Sequence, residues 1–118
     1  MTPVDQTKFS GPGSVGNCFP ACVASITGIP LDEIPNFCER PEEWFADAMA
    51  WCALRGWALS PENDDELPDG KPCIASGPGP RGKRHSVVWM DGKMIHDSHP
   101  SRAGLVDYPE EFETLTEI

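Results

Sequence analysis

Five cysteines and three histidines stand among the 118 residues, and one of each sits where covalent chemistry is favoured. Cys18 follows Gly16-Asn17 and opens an apolar run, to about Thr27, that reads as a short helix. The first turn of a helix leaves backbone N–H groups without internal partners and carries partial positive charge, so a thiol there is biased toward thiolate. The thiolate is the nucleophile, and the same N–H groups can face an oxyanion. The plain alternative is a buried, inert cysteine. His85 stands where a glycine-rich loop, residues 77–82, meets the β-branched run Ser86-Val87-Val88-Trp89. A loop-to-strand boundary is rigid and open to solvent, which suits a general base.

Asp97 is the candidate to orient that base. Residues 85–89 and 93–97 predict a hairpin about Asp91-Gly92. If Met90-Asp91-Gly92 makes a three-residue loop with Gly92 left-handed, Asp97 lies opposite His85, with Cβ atoms about 5 Å apart. A two-residue Asp-Gly turn instead sets Ser98 opposite His85 and sends Asp97 to the other face. Both loops fit the sequence.

The elements that must hold these residues follow from periodicity and punctuation. Residues 1–16 read as an irregular arm, ending in Ser10-Gly11-Pro12-Gly13-Ser14-Val15-Gly16. Asn17 is a good N-cap for the first helix, Phe19, Cys22, Val23 and Ile26 give it an apolar face, and Gly28 stops it. Residues 29–35 predict a turn with one short helical turn. A second, core-facing helix is expected from Pro41 to Gly56, with Glu42-Glu43 at its positive end and Trp44, Phe45, Ala48, Met49, Trp51, Cys52 and Arg55 at helical spacing. Strands are expected at residues 57–60 and 72–76, in the hairpin, and at residues 112–116, with an acidic loop at 61–70. Helices first and an antiparallel sheet after them predict a single α+β domain over residues 1–118.

Composition narrows the partners. Nineteen acids against nine bases give a formal charge of −10, a poor match for nucleic acid, whose binding depends on phosphate neutralisation. The polar start MTPVDQTKFSGPG has no signal-peptide core, and no apolar run approaches a membrane span. With five cysteines, an odd number, this predicts reduced thiols in the cytoplasm.

Taken together, Gly16-Asn17-Cys18-Phe19-Pro20-Ala21-Cys22, the distant His85-Ser86-Val87-Val88 and His96-Asp97-Ser98 resemble the papain-like cysteine hydrolases. The nearest in pattern are the compact bacterial leader peptidases of peptide exporters and the cell-wall amidases; Gly-Asn-Cys is also similar to the start of the ovarian-tumour deubiquitinases. The pieces Asn-Cys-Phe and His-Pro-Ser-Arg-Ala-Gly-Leu further resemble small phage and bacterial proteins. The resemblance spans residues 6–105 and rests on three short motifs. It implies a papain-like fold and a Cys18–His85–Asp97 triad. It further implies cleavage of an amide, isopeptide or related acyl bond through a thioester, on a peptide, protein or small amide substrate, with no cofactor. A glutamine shortly before the nucleophile often completes the oxyanion hole in this family. Gln6 is the only glutamine, twelve residues before Cys18, so the arm would have to fold back to bring it there; Asn17 is the other candidate donor.

Four further readings stand beside this one. Arg81, Lys83 and Arg84 precede His85 and form either a solvated loop that offsets the acidic body or a loop that binds an acidic group of the substrate. Cys18, Cys22, His96 and His99 could form a zinc set, but His residues three apart on a strand point to opposite faces. His96, Trp89 and Arg102 are candidates to line the site. The rival of a different class is a non-catalytic binding protein on the same scaffold, such as a phage inhibitor of a host system.

Overall fold

In the computed structural model, residues 1–11, 13 and 15–118 are described; Pro12 and Ser14 of the arm lie outside the described residues. The first helix, α1, spans Cys18–Thr27 as the sequence predicts. Gly28 ends it in the left-handed conformation (φ 81°), donating its N–H to Ala24 O at 2.9 Å. Asn17 occupies the N-cap position without a side-chain cap bond. Short 3-10 turns at Leu31–Glu33 and Phe37–Glu39 lead to the second helix, α2, at Trp44–Leu54. That helix starts three residues later than Pro41 suggested. Pro41 lies in a turn closed by Glu43 N–H on Arg40 O (3.1 Å), and the helical ladder begins only with Asp47 N–H on Glu43 O (3.0 Å). Arg40 fixes this start by pairing with both Glu43 (2.6 Å) and Asp47 (3.2 Å).

Five strands form one antiparallel sheet, β1 Trp57–Glu62, β2 Cys73–Pro78, β3 Arg84–Met90, β4 Lys93–His96 and β5 Glu111–Glu117, in the order β1-β5-β2-β3-β4. β1 runs past the expected Ser60 and carries Pro61, which an edge strand tolerates because one side of its backbone has no neighbour to bond. The acidic loop after it contains a 3-10 turn, Asp64–Glu66.

Both faces of the sheet are covered. On one side Phe19, Cys22 and Val23 of α1 and Ala48 and Cys52 of α2 pack on Leu59, Ile74, Val88 and Leu115. On the other, Cys73, Ala75, Val87, Trp89 and Phe112 lie under Leu67, Met94 and Leu105 from the loops and β4. Central strands buried on two faces read as continuous apolar runs, which is why β2 and β3 are buried along nearly their whole length. α2 buries a narrower seam than its pattern implied: only Ala48 and Cys52 are fully covered, and Met49 is exposed. Among the described residues, no helix is long and apolar enough to cross a membrane.

Candidate active site

Cys18 is held at the mouth of α1 by the arm that precedes it. Asn17 Oδ1 accepts hydrogen bonds from the backbone N–H groups of Thr7 (3.0 Å) and Lys8 (2.9 Å), and Asn17 Nδ2 donates to Thr7 Oγ1 at 3.0 Å. The side chain expected to cap the helix or to donate to the oxyanion as a substrate-binding group therefore clips the arm to the helix start instead. It faces away from the Cys18 cavity, bordering a separate depression with Leu31 and Asp32. Pro20, with no N–H to satisfy, fits the first turn of α1 at no cost in hydrogen bonding.

His85 is placed by β3, opposite Gly77 of β2. The loop before it closes with Gly79 N–H on Lys83 O at 2.8 Å. A Cβ at Gly79 would stand 2.8 Å from Lys83 O and 3.0 Å from His85 Cβ, so only glycine allows the backbone to pass this close to the imidazole.

Asp97 reaches His85 by a route that neither loop alternative anticipates. The hairpin has the two-residue turn, with Asp91 (φ 52°) and Gly92 (φ 82°) both left-handed and Met90 paired with Lys93. Trp89 then pairs with Met94, but Val88 pairs with His96, so Ile95 is an extra residue in a β-bulge. The bulge reverses the alternation and returns Asp97 to the face used by His85. There Asp97 Oδ1 lies 2.7 Å from His85 Nε2. The same oxygen accepts the His99 N–H (2.9 Å) and Oδ2 accepts the Gly104 N–H (2.7 Å). At 1% exposure and surrounded by donors, this carboxyl is held as a carboxylate.

Gln6 does fold back. Its backbone N–H donates to Ser98 O (3.1 Å), its Oε1 accepts from Ser98 Oγ (3.0 Å), and its Nε2 donates to Lys8 O (2.9 Å). Gln6, Cys18, His85, His99, Arg81 and Lys83 are among the residues lining a cavity of about 160 Å³.

With Nε2 on Asp97, Nδ1 is the nitrogen left for Cys18, which lines the same cavity. Burial pulls the Cys18 pKa up, yet His85 and the backbone N–H groups of Ser86 and Phe19 outweigh it and hold the thiol below its ordinary value. For His85, burial pulls downward, but Asp97 and Cys18 overcome it and push the imidazole up to about 9. Burial likewise works against Asp97, and His85 with the His99 and Gly104 N–H groups holds its carboxyl well below the usual range. The opposite shifts of Cys18 and His85 favour a thiolate–imidazolium pair. The other four thiols shift the other way: burial raises Cys22 strongly, Cys38 and Cys52 to about 11, and Cys73 to about 12. All five cysteines are unpaired.

Comparison with protein-family models, with curated proteins and with solved structures returns no match for this chain.

Several expected site residues sit elsewhere. Arg84 borders the cavity, but its guanidinium is taken by Glu110 (2.7 Å) and Glu111 (2.6 Å), so it braces β3 against β5. Arg81 stays at the cavity, its Nη1 donating to Ser101 Oγ at 3.3 Å. His96 binds the arm through Val4 O (3.1 Å), Trp89 belongs to the core, and Arg102 NH1 joins Asp5 to Asp97 O, the latter at 2.6 Å. The zinc set is not assembled, and among the described residues no three Cys, His, Asp or Glu side chains gather at metal-binding range. His99, weighed in the sequence only as a metal ligand, lines the cavity and stacks edge-on against Phe9 (5.4 Å) and His85 (6.5 Å). Its placement follows from an Asx turn, Asp97 Oδ1 to the N–H two residues on, which the string Asp-Ser-His could have signalled.

Proposed function

We propose that this protein is a cysteine hydrolase of papain-like arrangement that cleaves an amide, isopeptide or related acyl bond through Cys18. The observation that carries the reading is the 2.7 Å contact of Asp97 with His85 on the cavity that Cys18 also lines, with the thiol shifted down and the imidazole up.

In the first step the Cys18 thiolate attacks the substrate carbonyl carbon. A tetrahedral oxyanion forms, with the Cys18 backbone N–H at the start of α1 and the second N–H of Gln6 Nε2 as its donors. His85 then gives its proton to the leaving amine, the C–N bond breaks, and a thioester remains on Cys18. Water enters, His85 takes one of its protons, and the hydroxide equivalent attacks the thioester. The acid product leaves as the thiolate and imidazolium are restored. Asp97 stays ionised throughout, fixing the ring and stabilising its cation. Arg81 and Lys83 at the cavity favour a substrate with an anionic group near the scissile bond, in a chain that is otherwise strongly acidic.

Iodoacetamide alkylation of each cysteine across pH, read by peptide mapping in the wild type and in His85→Ala, tests this. Fast reaction at Cys18 well below the pH at which Cys38 reacts, lost without His85, supports the hydrolase. A Cys18 no faster than Cys38, or indifferent to His85, overturns it and leaves the non-catalytic binding protein.

A further inference from the structure

A second, smaller pocket of about 80 Å³ shares His85 and Arg84 with the Cys18 cavity and is closed by Trp44, Ser76, Ser86, Glu111 and Glu113. We infer that this pocket is a subsite for a cationic group of the substrate, an ammonium or guanidinium, received by Glu113 beside the reacting centre.

Glu113 lies on β5 between Pro61 of β1 and Ile74 of β2, in the interior of the sheet, and is only 4% exposed. Its carboxyl lines the pocket yet makes no hydrogen bond or ion pair to any described residue. The neighbouring donors are committed elsewhere: Arg84 pairs with Glu110 and Glu111, and Ser76 Oγ and Ser86 Oγ bond each other at 2.7 Å. A buried carboxyl without a partner is unfavourable, and the sheet position it occupies is flanked on the same strand face by Leu115, a core residue. An aliphatic side chain would serve packing better, so the carboxyl reads as kept for something that enters.

What enters is defined by the walls. Both cations at the pocket are already committed, Arg84 to Glu110 and Glu111 and His85 to Asp97, so Glu113 is its one acid without a counter-charge among the described residues, and the half-buried indole of Trp44 forms an apolar wall beside it. The volume suits the head of a lysine- or arginine-like side chain rather than a whole ring system. Burial foremost, and then Glu111, push the Glu113 carboxyl up to about 7 against the opposing charge of Arg84, so a bound cation would displace a proton that the empty pocket readily holds. This inference rests on the hydrolase reading and sharpens it: a basic residue beside the scissile bond, with an anionic group on the Arg81–Lys83 side.

The test uses methanethiosulfonates that label Cys18, carrying either an ammonium or a neutral alkyl end on linkers of two to six carbons. In the wild type, one linker length should label about tenfold faster with the ammonium than with its neutral counterpart. That ratio should fall to near unity in Glu113→Gln; because it is taken within each variant, a general change in thiol reactivity cancels. No preference at any length in the wild type, or one that survives in Glu113→Gln, overturns the subsite. Failure of the hydrolase reading shows separately, as a Cys18 that lacks His85-dependent alkylation by iodoacetamide.

Discussion

His85 and Asp97 are 2.7 Å apart although no ladder pair joins them: the last paired residues of their hairpin are Val88 and His96, and a bulge at Ile95 supplies the offset that lets the two meet. The contact is between His85 Nε2 and Asp97 Oδ1, on a carboxylate that also accepts the His99 N–H at Oδ1 and the Gly104 N–H at Oδ2. Asp97→Asn keeps the shape and removes the charge. The His85 pKa should drop from about 9 toward its ordinary 6.5, and Cys18 should regain its proton at neutral pH. We expect alkylation of Cys18 by iodoacetamide at pH 6 to slow by about tenfold or more, with an effect on stability of about 1–3 kcal/mol from mismatched donors at His99 and Gly104.

In the proposed hydrolase Gln6 stabilises the oxyanion and has no part in ionising Cys18, so alkylation and turnover should separate in its variant. In Gln6→Ala the thiolate persists, because His85 and Asp97 are untouched, so alkylation of Cys18 stays fast. Turnover of a chromogenic acyl substrate such as a p-nitrophenyl ester should fall by about 10²–10³, the usual effect of losing one oxyanion donor. Equal loss in both assays would assign Gln6 to holding the fold through Ser98.

Gly79→Ala puts a methyl group 2.8 Å from a backbone oxygen of Lys83, which cannot move aside as a side-chain end could. The loop must shift, and His85 with it. The expected cost is about 1–3 kcal/mol in chemical denaturation, accompanied by loss of the enhanced Cys18 alkylation. Gly82→Ala meets no atom within 4 Å but sits at φ 77°, so it should destabilise without displacing the imidazole.

The pH dependence of stability should carry the signature of Glu113. Its carboxyl has a usual value of 4.5 and is raised to about 7 in the fold, so the folded chain binds the proton more tightly than the unfolded one. Stability then falls as pH rises from about 4.5 to about 7, and the whole penalty is in place above that window. Glu113→Gln removes the titration. Its denaturation midpoint should match the wild type near pH 4.5 and exceed it above pH 7 by on the order of 2–3 kcal/mol in free energy. A variant that is equally stable across that range would place the carboxyl in solvent.

The Cys18 helix was legible because its limits are written locally, in the Gly16-Asn17 start, the apolar run and the Gly28 stop. The two-residue turn at Asp91-Gly92 was one of two alternatives for the same reason. The bulge was not legible: Ile95 is a good strand residue, and nothing in Met94-Ile95-His96 marks it as the extra one. Nor was the role of Asn17, whose type fits a helix cap as well as a clip; only the position of Thr7 and Lys8 decides between them. Arg84 misled because its neighbourhood in the chain is a basic loop, whereas its partners, Glu110 and Glu111, come from a strand placed beside it by the sheet order. Glu113 sits in a strand that reads as alternating, and burial of its carboxyl follows from α1 covering that face.

The tie between Gln6 and Ser98, two residues 92 positions apart, has a bearing on when the molecule becomes competent. Along the chain, Cys18 precedes every strand of the sheet on which its helix packs. Its base, the carboxylate that steers the base and the anchor for Gln6 all arrive after residue 84. Until that late hairpin closes on the arm, the thiol has neither its proton acceptor nor the amide beside it. In the hydrolase proposed above, the reactive pair would thus exist only in the finished protein.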